Sequence, residues 1–176
     1  MTEKYAPQMA TQQRSRAAIL AGAKAVIAES GNYESHMIDI AARAQVSRAT
    51  VYNHFADKEE MMLTLLESEI DRLAELARSA ADPAEALRLL SIDISEDPAL
   101  RKMVTSDPLD IARFVTVTDH PLWSKALAHL SDIFGAQNSA LIIRWLIGQI
   151  GAPLTAAESA SQALQLASAL ARSSLD

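Results

Sequence analysis

Three Asp-Pro steps, at Asp82-Pro83, Asp97-Pro98 and Asp107-Pro108, and a His-Pro step at His120-Pro121 divide the second half of this chain. Proline is excluded from a helix interior but suits the first turn. An aspartate just before it can accept amide hydrogens that the first turn leaves unpaired. The recurrence predicts one helix after another, over 83–95, 97–105, 108–117 and 120–134. Apolar spacing adds two more, over 138–150 and 155–172. The 49% apolar content, dominated by Ala and Leu with only five glycines, is ample for an all-α core.

Several function classes fall away early. There is no cysteine, which excludes disulfides, thiolate chemistry and Cys-based zinc sites. No stretch approaches the ~18–20 apolar residues of a membrane span, and residues 1–13 are polar, unlike a secretory leader. A soluble, cytoplasmic protein without a membrane partner is expected. No phosphate-cradling glycine loop, His-Glu-x-x-His or nucleophile elbow is present, so neither an enzyme nor a cofactor is expected.

The net charge of −6 is unevenly spread. Residues 1–60 carry seven basic and seven acidic side chains, whereas residues 61–176 carry nine and fifteen. A neutral first part can still present basic groups on one face, so nucleic acid is not excluded.

That first part carries the motif. Ala17, Leu20, Ala23 and Ile27 repeat at helical spacing over 14–30, and Gly31-Asn32 ends the helix with residues that tolerate a left-handed backbone. A short helix over 36–44 buries Ile38, Ile40 and Ala41. Gln45-Val46 makes a turn, and Ser47 caps a second short helix ending near Phe55. Val51 and Phe55, four apart, point inward, which leaves Arg48, Thr50, Tyr52, Asn53 and His54 on the exposed sides. Such a helix, braced by its neighbour, suits a DNA major groove. Arg48 can pair with a guanine edge or a phosphate. Thr50 and Asn53 suit base edges, and Tyr52 and His54 suit phosphates. Lys58 adds charge at the start of a long helix over 58–80, capped by Asp57 and roughly 33 Å long. Met62, Leu65, Leu66, Ile70, Leu73 and Ala77 form its apolar stripe.

These residues resemble the tetracycline-repressor (TetR) family of bacterial regulators. Its pattern is Ile-Ala-x-x-Ala-Gly-Val-Ser, then Thr-(aliphatic)-Tyr-x-(Tyr/His)-Phe, then x-x-Lys-Glu. Here Ile40, Ala41, Ala44, Val46, Ser47, Thr50, Val51, Tyr52, His54, Phe55, Lys58 and Glu59 match it. The resemblance covers about 14–65. Two positions depart. Gln45 replaces the turn glycine, at a cost of about 1 kcal/mol if the backbone there has positive φ. His36 replaces a threonine that caps the first motif helix and touches phosphate; Ser35 is the alternative cap.

The resemblance implies a flexible tail over 1–13, a helix-turn-helix DNA-binding domain over 14–60, and a helical effector-binding and dimerisation domain over 61–176. It implies a homodimer on a near-palindromic double-stranded DNA operator, most often a repressor, released by a small-molecule effector. In the second domain Met103, Phe114, Trp123 and Trp145 are the candidate apolar contacts to a ligand, with Arg113 and His120 as polar anchors. Ile142, Trp145, Leu146, Ala160, Leu164 and Ala167 are the candidate dimer contacts. His129 and Asp132 share a helix face, but no third metal ligand is evident. Two other readings stay open: a constitutive DNA-binding factor of the same fold, and an all-α small-molecule carrier or enzyme.

Overall fold

The computed structural model describes residues 6–173. Among the described residues there are ten α-helices and no strand: α1 (Ala6–Ser30), α2 (Met37–Arg43), α3 (Arg48–His54), α4 (Lys58–Arg78), α5 (Pro83–Glu96), α6 (Pro98–Ser106), α7 (Pro108–Thr116), α8 (Pro121–Phe134), α9 (Ala136–Gly151) and α10 (Ala156–Ser173). None is long and apolar enough to cross a membrane.

The capping residues explain most boundaries. Ser47 Oγ accepts from the Thr50 amide at 3.0 Å, Asp57 from Glu60 at 2.8 Å and Asp82 from Glu85 at 2.9 Å. Asp97 accepts from both Ala99 and Leu100, and His120 Nδ1 accepts from Leu122. Each bond satisfies an amide that its helix leaves unpaired. Thr155 and Glu158 cap α10 reciprocally, each accepting the other's amide hydrogen.

Two expectations need correction. α1 begins at Ala6, so residues 6–13 continue the helix and are not a tail; residues 1–5 lie outside the described residues. The segment Met-Ala-Thr-Gln-Gln contains no breaker, and its mean helix preference extends the first turn outward. Ser35 does not cap α2. It is fully buried, and its hydroxyl donates to the Asn32 carbonyl at 2.7 Å. His36 holds the cap position without a side-chain bond.

The described residues form two apolar cores. The first joins Ile19, Ala23 and Ile27 of α1 to Ile40, Val51, Phe55, Met61 and Leu65, with Ala99 of α6 at its edge. The second joins Ala77, Leu87 and Leu90 to Trp123, Leu130, Ile142, Leu146 and Ala163. Helix α4 contributes to both. Gly22 lets α1 and α2 approach closely: a Cβ there would meet the Ala44 Cβ and amide at 3.1 Å. In the second core a polar cluster is fully enclosed. Ser91 Oγ lies 2.7 Å from Gln149 Oε1 and 2.8 Å from Ser159 Oγ, tying α5, α9 and α10 together.

Candidate nucleic-acid interface

Helix α3 is held from beneath by Val51 and Phe55, which are 0% and 1% exposed. The Arg16 guanidinium of α1 sits 5.3 Å from the Phe55 ring centroid and closes that contact from the other side. Pinned this way, α3 turns Arg48, Tyr52 and Asn53 to solvent, with Tyr52 50% exposed. Ser47 and Thr50 bond each other through their hydroxyls at 2.8 Å at the start of the helix, and His54 is half-buried at its end. The α2–α3 turn passes through Gln45 at φ 56°. The backbone there is left-handed, as the glycine of the resemblance implied, and Gln45 carries the strain.

Lys58, at the start of α4, is engaged within the chain. Its ammonium donates to the carbonyl of Asn32, and also to that of Tyr33 at 3.4 Å. Burial pushes its pKa below the ordinary lysine value against the pull of Asp107, Asp110 and Glu34. It staples α4 to the α1–α2 loop through these two carbonyls. In exchange, Tyr33 stands 80% exposed on that same loop, a surface residue with no periodic signal to reveal it.

The loop is gripped from the second half of the chain as well. Asp107, 7% exposed, accepts from the amides of Asn32 and Tyr33, both at 2.8 Å. Asp110 accepts from the Asn32 side chain at 2.7 Å. Burial works against the Asp107 charge. Hydrogen bonds from Ser106, Tyr33 and Asn32, with the field of Lys58, outweigh it and hold the carboxyl below the ordinary aspartate value. Gly31, at φ 88°, passes so close that a Cβ would run into Ser106 Oγ and Asp107 Oδ2.

Between the two cores lies a cavity of about 200 Å³. Its walls are almost wholly apolar: Met62, Leu66, Ile70 and Leu73 of α4 face Met103, Phe114 and Trp123. All six residues of the α4 stripe thus border the cavity, and Leu65 and Ala77 belong to the two cores as well. Of the residues singled out as ligand contacts, Met103, Phe114 and Trp123 line it and three others do not. Trp145 turns toward α10 and donates to Gln162 Oε1 at 3.0 Å. Arg113 points to solvent, and His120 is spent as the cap of α8. One end of the cavity is charged. Lys24 bridges Glu69 at 2.7 Å and Asp97 at 2.6 Å, and Arg72 bridges Glu69 and Asp93. These carboxylates raise the Lys24 pKa although burial opposes the charge. His129, also on the wall, contacts Asp71 and Arg78.

The candidate dimer contacts divide by helix face. Ile142 and Leu146 are 0% and 7% exposed and belong to the chain's own second core, which corrects their assignment to an interface. Helix α9 is apolar over more than one face, and the i, i+4 pair of Ile142 and Leu146 lies on the inner one. Trp145 is half-buried against α10. Ala160 and Leu164, 62% exposed, point outward from α10, Ala167 is half-buried, and Leu141 of α9 is 52% exposed.

Residues 19–65 match the family model of bacterial regulatory proteins, tetR family. The HTH-type transcriptional activator FasR of Mycolicibacterium smegmatis is 35% identical over 65 residues, which is 37% of this chain; the chain spans 30% of that protein's length. Two solved structures share the fold over most of the chain. One is the TetR family repressor AlkX from Dietzia sp. strain DQ12-45-1b, implicated in biodegradation of n-alkanes. It has 19% identity and a TM-score of 0.62, over 89% of this chain and 95% of that one. The other is the transcriptional regulator FadR from Bacillus subtilis in complex with stearoyl-CoA. It has 20% identity and a TM-score of 0.50, over 87% and 96%.

Proposed function

We propose that the chain, whose residues 19–65 match the model of the tetR family of bacterial regulatory proteins, is a member of that family and a transcription regulator whose grip on DNA answers an apolar effector. The observation that carries this reading is the pairing of an outward polar edge on α3 with an apolar cavity further along the same molecule. Arg48 and Asn53 read base edges, and Thr50 lies beside them. Tyr52 and His54 hold phosphates, with Ser47 and His36 at the starts of the two motif helices. Lys58 acts indirectly, by fixing the loop that leads into α2. The domain limits proposed are 14–60 for DNA binding, extended forward to Ala6, and 61–176 for effector binding and pairing.

Two copies would pair through the outward faces of α9 and α10, where Leu141, Ala160 and Leu164 are exposed. Two α3 helices spaced about one helical turn of DNA apart then require a near-palindromic operator. Repression is the sign the family favours. The effector would occupy the cavity against Met103, Phe114 and Trp123. It shifts DNA affinity only by binding one arrangement of the helices better than another. Two ties carry that preference toward α3: Lys24, which joins α1 to α4 and α6, and Asp107, which grips the α1–α2 loop. The relatives that bind stearoyl-CoA or are implicated in alkane biodegradation support a lipid-like effector.

Selection from random duplexes tests the reading. Enrichment of a near-palindrome, lost on combining Arg48→Ala with Tyr52→Ala, is expected. An enriched pool without two-fold symmetry would refute the dimeric operator, and no enrichment would refute DNA reading altogether.

A further inference from the structure

The charged end of the cavity narrows what can enter it. Five ionisable side chains gather there, Lys24, Glu69, Arg72, Asp93 and Asp97, and they are already matched to one another. The Arg72 guanidinium gives both terminal nitrogens to Asp93, at 2.9 and 2.6 Å, and its Nε to Glu69 at 2.9 Å. The Lys24 ammonium is held between Glu69 and Asp97. Asp97 spends its other oxygen on the Ala99 and Leu100 amides. Two cations thus face three carboxylates. The remaining candidate, His129, has Nδ1 3.0 Å from Arg78 Nη2, and a guanidinium can only donate. Nδ1 is therefore an acceptor and the Nε2–H donates to Asp71, so both ring nitrogens are engaged. Lys24, Glu69, Arg72 and Asp93 are the partly exposed part of this cluster and Asp97 is nearly buried, whereas Leu90, Ile143 and Leu146 of the lining are buried. A ligand in the cavity therefore meets hydrocarbon, bordered by charges that are already paired with one another.

We infer that the cavity selects an uncharged, hydrocarbon-like molecule and discriminates against the carboxylate or acyl-CoA form of the same chain, because no cation on its wall is left to receive a negative head group. The inference rests on the effector reading above and names its ligand class. A neutral chain gains about fourfold in affinity per buried methylene until the space is full. An anionic head forgoes that gain, since it must stay hydrated or displace a carboxylate from Lys24 or Arg72.

The test uses the full chain with a matched set: decanol, methyl decanoate, decanoate, decylammonium and decanoyl-CoA. Binding is read by the fluorescence of Trp123, which lines the cavity, and by thermal shift. Decanol and methyl decanoate should bind roughly 30-fold or more tighter than the three charged compounds. A second arm frees the guanidinium by combining Glu69→Gln with Asp93→Asn, exchanges at a partly exposed ion network that the fold should tolerate. The ratio of decanoate to decanol affinity should then rise at least about tenfold. Tighter binding of decanoate, decanoyl-CoA or decylammonium than of decanol to the natural chain overturns the inference and leaves the effector reading standing. If no compound binds, the effector reading itself falls and this inference goes with it.

Discussion

Replacing Asp107 by alanine isolates the tie between the two halves of the molecule. The side chain sits at the N-cap position of α7 but makes no capping bond there, so α7 loses nothing directly. The loss falls on the α1–α2 loop, where two amides, of Asn32 and Tyr33, forfeit a charged acceptor at 2.8 Å. Hydrogen bonds to a charged group contribute about 1.5–3 kcal/mol each. Tyr33 is exposed and Asn32 half-buried, so water restores part of this, and a net loss of about 2–4 kcal/mol is expected. In a chain of this size that lowers Tm by roughly 5–15 °C. Asp107→Asn keeps one acceptor oxygen and should cost about half as much. Hydrogen exchange should accelerate at the amides of residues 32 and 33 beyond the global change. The pH dependence has a definite sign. The folded carboxyl lies below its ordinary value of 3.8, so its contribution is complete above that pH and fades as pH falls through the folded value. The Tm gap between the natural chain and Asp107→Asn should therefore hold from pH 6 down to about pH 4 and narrow as pH falls further. A Tm change under about 2 °C for Asp107→Ala, with unchanged exchange in the loop, would refute the claim that this carboxylate holds the loop.

Gln45→Gly relieves a left-handed residue at φ 56° and should raise stability by about 1 kcal/mol, seen as a higher midpoint in urea. Gly31→Ala should destabilise by more than the roughly 1 kcal/mol of its positive φ, because the new methyl also collides with Ser106 and Asp107; calorimetry measures the difference. Gln149→Leu removes the acceptor shared by Ser91 and Ser95 and should cost about 2–3 kcal/mol in chemical denaturation, since buried hydroxyls lose their partner.

The helices of the second half were legible to within two residues because their starts are written locally. An aspartate and a proline act on the turn beside them, whatever the rest of the chain does. The α3 edge was legible for a similar reason: Val51 and Phe55, one turn apart, declare which side is inward. What escaped reading depends on residues far apart in sequence. Asp107 looks like one more cap, yet its oxygens serve Asn32 and Tyr33, over seventy positions away. Lys58 looks like a free cation at a helix start, yet its ammonium reaches the carbonyls of Asn32 and Tyr33. Ile142 and Leu146 were mistaken for interface because a helix apolar on two faces does not say which face its own chain will claim. The ring of charges around Lys24 draws on α1, α4, α5 and α6, and no local pattern joins them.

The enclosed contact of Ser91, Gln149 and Ser159 acts as an index pin. Sliding α9 or α10 along α5 by even one residue would strand hydroxyls and an amide away from water, so these three helices travel as a block. A guest that swells the cavity therefore finds one side anchored. Under the proposed function, its thrust would go to the opposite wall, α4 and α6, both of which pack against α1, itself in contact with α3.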